Sequence, residues 1–160
     1  MRITALVENT STRPELLSEH ALSLYIESNG HKILFDMGAS DAFVQNAKVL
    51  GIDLNAMDFA VLSHGHYDHG GGLEAFLTAN NHAPVYVSRY AFEPHFNKMN
   101  KDIGLAPKIR EQFGGRIIFT EDYYRLNDTM ELFSCNDREL AFPIDPFGLS
   151  CIHSEEIGRA

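Results

Sequence analysis

Hydrophobic and polar positions along the first third of the chain follow the short periods of strands. Ile3 to Val7 reads as an opening strand, and a polar loop, Glu8-Asn9-Thr10-Ser11-Thr12-Arg13-Pro14, follows it. Leu22, Leu24 and Ile26 alternate with Ser23, Tyr25 and Glu27, which predicts a strand with the leucines and isoleucine on its buried side. Ser28-Asn29-Gly30-His31 is a turn signal, and Lys32 to Asp36 is the returning strand of a hairpin. Beyond Gly38 the period changes. Ser40 is a candidate N-cap for a helix that places Phe43, Ala47 and Leu50 on one face and stops at Gly51. Phe59-Ala60-Val61-Leu62 is wholly apolar, as expected of a strand covered on both faces. A second helix is predicted over roughly Leu73 to Ala79, with Leu73, Phe76 and Leu77 inward. Strands are predicted at Pro84–Val87, Arg116–Phe119 and Met130–Ser134, with mixed helix and loop from Tyr90 to Gly115. Past Cys135 the pattern fades.

Length and composition narrow the class. The 160 residues, 44% apolar and 22% charged, suit a single globular domain spanning 1–160 and leave no case for global disorder. The formal charge of -9 repels polyanions, so nucleic acid is not an expected partner. No apolar run approaches the roughly 20 residues of a membrane span, and the N-terminus does not read as a signal peptide. The two cysteines, Cys135 and Cys151, are too few for a disulfide framework and are expected to be free thiols in a cytoplasmic protein.

Chemistry concentrates in one loop. His64-Gly65-His66-Tyr67-Asp68-His69 has the form H-x-H-x-D-H and gathers imidazoles and a carboxylate, the donors that zinc, iron and manganese prefer. His64 and His66, two apart at the end of an extended strand, leave the same face and are expected to grip one ion. Asp68 and His69 follow where the chain enters a helix, so they point to a neighbouring position. A second ion there would lie at roughly 3.5–4 Å from the first, as in two-metal hydrolytic sites. Gly65 and Gly70-Gly71-Gly72 allow close backbone packing around the motif.

Asp36, at the end of the apolar strand, has two readings. It either receives the second ring N–H of a metal-bound histidine or caps the turn before Gly38; the first is preferred. His20, His31 and His82 sit beside turn signals and are expected to be solvated, and His95 is read first as a surface residue. His153 lies in surroundings that do not read as a ligand-bearing strand, and Cys135 and Cys151 are not expected to be ligands.

The segment Val61 to Leu73, containing the H-x-H-x-D-H motif and the glycine run, resembles the signature of the metallo-β-lactamase superfamily. Leu34-Phe35-Asp36-Met37-Gly38 is similar to its D-T-G segment, with Met37 where Thr is usual. Val7-Glu8-Asn9-Thr10, Glu19-His20-Ala21-Leu22-Ser23, Asn46-Ala47 and Leu50-Gly51-Ile52-Asp53 resemble the branch that includes the dihydropterin synthase. The resemblance implies an α/β fold, the αββα sandwich, with about the first half present: one mixed sheet with flanking helices. It also implies that further ligands come from a second half, which this chain does not carry in recognisable form. A half sandwich leaves an apolar sheet face bare, so a homodimer, or association with the missing half, is expected.

The implied activity is metal-dependent hydrolysis of a small-molecule ester, lactam, thioester or phosphoester through metal-bound hydroxide. One or two zinc ions are expected first, with iron or manganese as alternatives. His64, His66, Asp68 and His69 are the implied ligands, and Asp68 also orients or deprotonates the water. A truncated, non-catalytic metal-binding fragment is the alternative. Di-iron redox chemistry is a third reading, without a flavin-domain signal to support it.

Overall fold

The run Phe59-Ala60-Val61-Leu62 is buried along its whole length and forms an inner strand of a six-stranded mixed sheet. This is seen in a computed structural model that describes residues 1–134 and the strand backbone of 150–152 and 157–158. In chain order the sheet takes β1 (Arg2–Val7), β2 (Ser23–Ser28), β3 (His31–Phe35), β4 (Phe59–Leu62) and β5 (Val85–Ser88). A two-residue strand β6 (His95–Phe96) lies outside it, and β7 (Ile117–Thr120) completes it, in the spatial order β1-β2-β3-β4-β5-β7. β1, β2 and β3 run antiparallel, whereas β3, β4, β5 and β7 are parallel neighbours. The Asn29-Gly30 turn joins β2 to β3 with both residues at positive φ, as a tight hairpin requires.

Helices α1 (Ala42–Val49), α2 (Tyr67–Gly70), α3 (Leu73–Ala79) and α4 (Pro107–Phe113) follow the strands. Phe43, Ala47, Leu73, Phe76, Leu77 and Ile109 pack with Leu34, Ala60, Leu62, Val85 and Val87 into the main core. Of the period-3.6 positions read from the sequence, Phe43, Ala47, Leu73, Phe76 and Leu77 are buried and Leu50 is half-buried. The N-cap of α1 is Asp41 rather than Ser40, which lies one residue earlier and whose Oγ accepts from the Ala42 N–H at 3.1 Å.

Strand β2 corrects an expectation. Ser23 and Tyr25 are its buried residues, and Leu22, Leu24 and Ile26 are only half-buried. Ser23 Oγ donates to the Asp36 carbonyl at 2.8 Å, which lets a polar side chain face the core at no cost in unpaired groups. Ile26 instead joins the other sheet face, where Ile33, Phe59 and Val61 form a second buried cluster.

That second face is not bare. A hairpin of β8 (Tyr123–Arg125) and β9 (Glu131–Phe133) lies over part of it, with Leu126, Met130 and Leu132 packed on Ile33, Phe59 and Val61. β8 was not anticipated from the sequence, nor were β6 and the strands β10 (Ser150–Ile152) and β11 (Ile157–Gly158), which extend β6 into a small sheet. His153 and Cys135 lie outside the described residues, as does the side chain of Cys151. Among the described residues no helix is long and apolar enough to cross a membrane.

Candidate metal centre

Strands β3 and β4 are parallel neighbours, so the residues that follow them, Asp36 and Ser63, emerge side by side at their carboxyl ends. Asp36 is fully buried with φ +57, a left-handed conformation that costs a non-glycine residue of order 1 kcal/mol or more. Its carboxylate offsets this with three acceptor contacts. Oδ1 accepts from the Ser63 N–H at 2.8 Å, and Oδ2 accepts from Ser63 Oγ at 2.8 Å and from His69 Nδ1 at 2.6 Å. Asp36 therefore receives a ring N–H from His69, a residue of the H-x-H-x-D-H loop.

The chain of polar contacts also orders the ring protons. Ser63 Oγ gives its proton to Asp36, so His64 Nδ1, 2.9 Å away, is the donor to that hydroxyl. His64 Nε2 is then an acceptor, and His66 Nδ1 donates to it at 3.0 Å. His66 Nε2 is left as a lone pair. It is buried and has no hydrogen-bond partner among the described residues. Such an orphaned acceptor calls for an explanation, and a ligand is one.

Electrostatics keep two of the rings neutral. Burial, followed by the neighbouring His69 and His66 rings, pushes the His64 pKa down to about 4. His66 is lowered by burial and by His95. For His69 burial also disfavours the charged form, but the Asp36 hydrogen bond and the charges of Asp36 and Asp68 outweigh it and raise the pKa. Neutral imidazoles are the form that binds a metal.

The motif is built where β4 turns into α2. His66 is the extended residue before that helix, with φ -85 and ψ 149, and Asp68 and His69 lie in its first turn. The ring centroids of His64 lie 4.4 Å from His66 and 4.2 Å from His69. Asp68 Oδ2 is 3.9 Å from His69 Nε2. Gly65 serves close approach, since a Cβ there would sit 2.1 Å from the Ala91 carbonyl oxygen and 2.6 Å from His95 Cε1.

Two histidines expected at the surface belong to this cluster. His95 is only 4% exposed, its ring centroid is 5.1 Å from that of His66, and its Nδ1 donates to the Glu93 carbonyl at 2.6 Å. Its two-residue strand carries no periodicity that could have shown the burial. His20 remains 77% exposed in its side chain, but its Nε2 lies 3.6 Å from Asp68 Oδ2 and its Nδ1 3.2 Å from Asn9 Oδ1. His31 pairs loosely with Asp58, and His82 is exposed, as expected.

The arrangement falls short of a closed coordination shell. Among the described residues no three His, Cys, Asp or Glu side chains already converge on one point, and His64 Nε2 is turned towards His66 Nδ1. By donor type the cluster nevertheless fits a divalent transition metal. Neutral imidazoles, a nearby carboxylate, an orphaned Nε2 and a histidine oriented by a buried carboxylate are what such an ion uses.

Comparison with known proteins decides the lineage. The family profile described as the metallo-beta-lactamase superfamily matches residues 19–134. The chain belongs to the metallo-β-lactamase superfamily. It is 35% identical over 124 residues to a 7,8-dihydropterin-6-methyl-4-(beta-D-ribofuranosyl)-aminobenzene-5'-phosphate synthase of Methanocaldococcus jannaschii, covering 68% of this chain and 41% of that one. An uncharacterised protein of the same organism is 27% identical over 155 residues, covering 91% of this chain and 57% of the relative. The crystal structure of Tm1679, a metal-dependent hydrolase of the β-lactamase superfamily, superposes with a TM-score of 0.76 at 25% identity, over 99% of this chain and 56% of that one. This superfamily chain thus spans about half the length of those relatives, and its mixed sheet with flanking helices is the corresponding part of the fold.

Proposed function

We propose that this chain carries the metal-binding half of a hydrolase that cleaves a small-molecule ester, lactam, thioester or phosphoester. The observation that carries the reading is the buried, partnerless His66 Nε2 within a cluster of imidazoles held by Asp36 and Ser63. In this reading His64 and His66 hold one ion, and Asp68 and His69 hold a second. Zinc suits the donors best, with iron or manganese as alternatives. When bound, such an ion supplies Lewis-acid chemistry, bringing the pKa of water towards about 7 and withdrawing charge from the scissile group.

The chain's own residues do the rest. Asp36 accepts the His69 Nδ1 proton and so aims His69 Nε2 at the site. Ser63 locks the Asp36 carboxylate from both its backbone and its hydroxyl. Burial keeps His64 and His66 neutral near neutral pH, the form that binds a metal. Asp68, 19% exposed in its side chain, accepts a proton from the attacking water.

The test is turnover by the metal-loaded chain. Nitrophenyl esters, lactones, thioesters and phosphodiesters form the probe panel, with a chelator and Asp68→Asn as controls. Chelator-sensitive turnover that falls by about 100-fold in Asp68→Asn supports the proposal. A metal-loaded chain that turns over none of the probes favours the second reading, a metal-binding fragment without catalysis. That second reading draws on the same open arrangement of the His64 and His66 rings.

A further inference from the structure

Asp68 Oδ2 has two imidazole nitrogens of the same kind near it. His69 Nε2 is 3.9 Å away, and His20 Nε2 is 3.6 Å away. Donors on a tetrahedral zinc, with bonds of about 2.0–2.1 Å, lie roughly 3.3 Å apart. The two separations therefore exceed those of a shared ion by only a few tenths of an ångström. Both rings also have the second nitrogen engaged by an oxygen: His69 Nδ1 by Asp36 Oδ2, and His20 Nδ1 by Asn9 Oδ1 at 3.2 Å. Metal-binding histidines are commonly oriented in this way.

The loop that carries His20 is tied to the motif. Glu19 accepts from the backbone N–H groups of Ala39 and Ser40 and from Ser40 Oγ, at 2.9, 3.1 and 2.7 Å. Leu22 N donates to the Asp68 carbonyl at 3.3 Å, and Gly38 N donates to the Leu22 carbonyl at 2.9 Å. Asn9 Oδ1 also accepts from the Ala21 N–H at 3.3 Å, so one amide sets both the ring and the backbone beside it. An isolated surface ion pair needs none of these supports.

We propose that His20 is a third protein ligand to the ion held by Asp68 and His69, so that the loop after β1 supplies an imidazole from within this chain. The inference rests on the metal reading above. Closing the shell requires both imidazoles to move towards Asp68, and the 77% exposure of the His20 side chain leaves that ring room to do so.

Cobalt(II) bound to the full chain tests it. Ion stoichiometry and affinity are measured for the wild type, His20→Ala and Asp68→Asn, together with the paramagnetically shifted exchangeable N–H signals of ligand imidazoles. The expected result is a weakening of one site by about tenfold or more in His20→Ala and the disappearance of one imidazole N–H signal. Circular dichroism of His20→Ala should match the wild type, because the side chain is exposed. If Asp68→Asn weakens binding while His20→Ala leaves both affinity and the signal count unchanged, this inference is overturned and the metal reading stands. If neither variant differs from the wild type, the Asp68 site itself is wrong.

Discussion

His69 donates its Nδ1 proton to the buried Asp36 carboxylate at 2.6 Å, across 33 residues of chain. This contact joins the end of one parallel strand to the helical turn after the next, and so couples the sheet to the motif. Replacing Asp36 by Asn places an amide where Ser63 N, Ser63 Oγ and His69 Nδ1 all require an acceptor. The expected cost is about 2–4 kcal/mol of stability and a roughly 10–100-fold loss of metal affinity. Denaturant melts with and without chelator, beside a zinc titration, check both.

The metal-free protein should weaken in mild acid. The His64 pKa is about 4 in the folded state against 6.5 for the free ring, and His66 is lowered as well. Between those limits the unfolded chain binds more protons, so this contribution is fully present above about pH 6.5 and is lost as the pH falls towards 4. His69 acts in the opposite sense. Its raised pKa contributes stability below the free-ring value, lost as the pH rises through the folded value. Melting temperatures of chelator-treated protein should therefore fall from neutral pH to 4.5, with His64→Gln showing a shallower fall. An equal slope in that variant would contradict the assignment.

Gly65→Ala should damage the site through packing alone. The added Cβ would meet the Ala91 carbonyl oxygen at 2.1 Å and its carbon at 2.8 Å, and backbone cannot swing aside as a side chain can. The segment carrying Ala91 and His95 would have to lift from the motif. A loss of about 1–3 kcal/mol is expected from overpacking, read as a lower urea midpoint with an unchanged slope.

Asn46 ties the long loop after β1 to helix α1. Its Nδ2 donates to the Leu6 and Leu17 carbonyls at 2.6 and 2.8 Å, and its Oδ1 accepts from the Leu17 N–H at 2.8 Å, all while it is 1% exposed. Asn46→Leu should cost about 2–3 kcal/mol, because buried backbone groups lose their partners. Limited proteolysis should cut within residues 10–18 faster in the variant, since the loop loses its anchor.

Most strands of the main sheet, with helices α1 and α3, were legible because their local apolar pattern marks them. β4 is apolar throughout and buried throughout, and α3 buries Leu73, Phe76 and Leu77 at their helical spacing. The H-x-H-x-D-H motif was legible because its residues are consecutive. What escaped is non-local. His95 is buried by the closeness of its loop to Gly65, and His20 reaches Asp68 through a fold contact that no spacing encodes. β2 misled because its core side uses Ser23, made tolerable by a single hydrogen bond to the Asp36 carbonyl. The hairpin β8–β9 was half-hidden because its turn is set by Asn127, whose side chain accepts from the Thr129 N–H and hydroxyl, rather than by a glycine.

Metal content per chain, in wild type and His66→Ala, tests the central claim most directly. His66 Nε2 is the one buried side-chain polar atom among the described residues without a partner, so it is the donor whose loss should matter most. Elemental mass spectrometry after gentle purification should find one or two ions per wild-type chain and a marked loss in the variant. A wild-type chain that carries no metal, even after incubation with zinc, iron or manganese, would contradict the account.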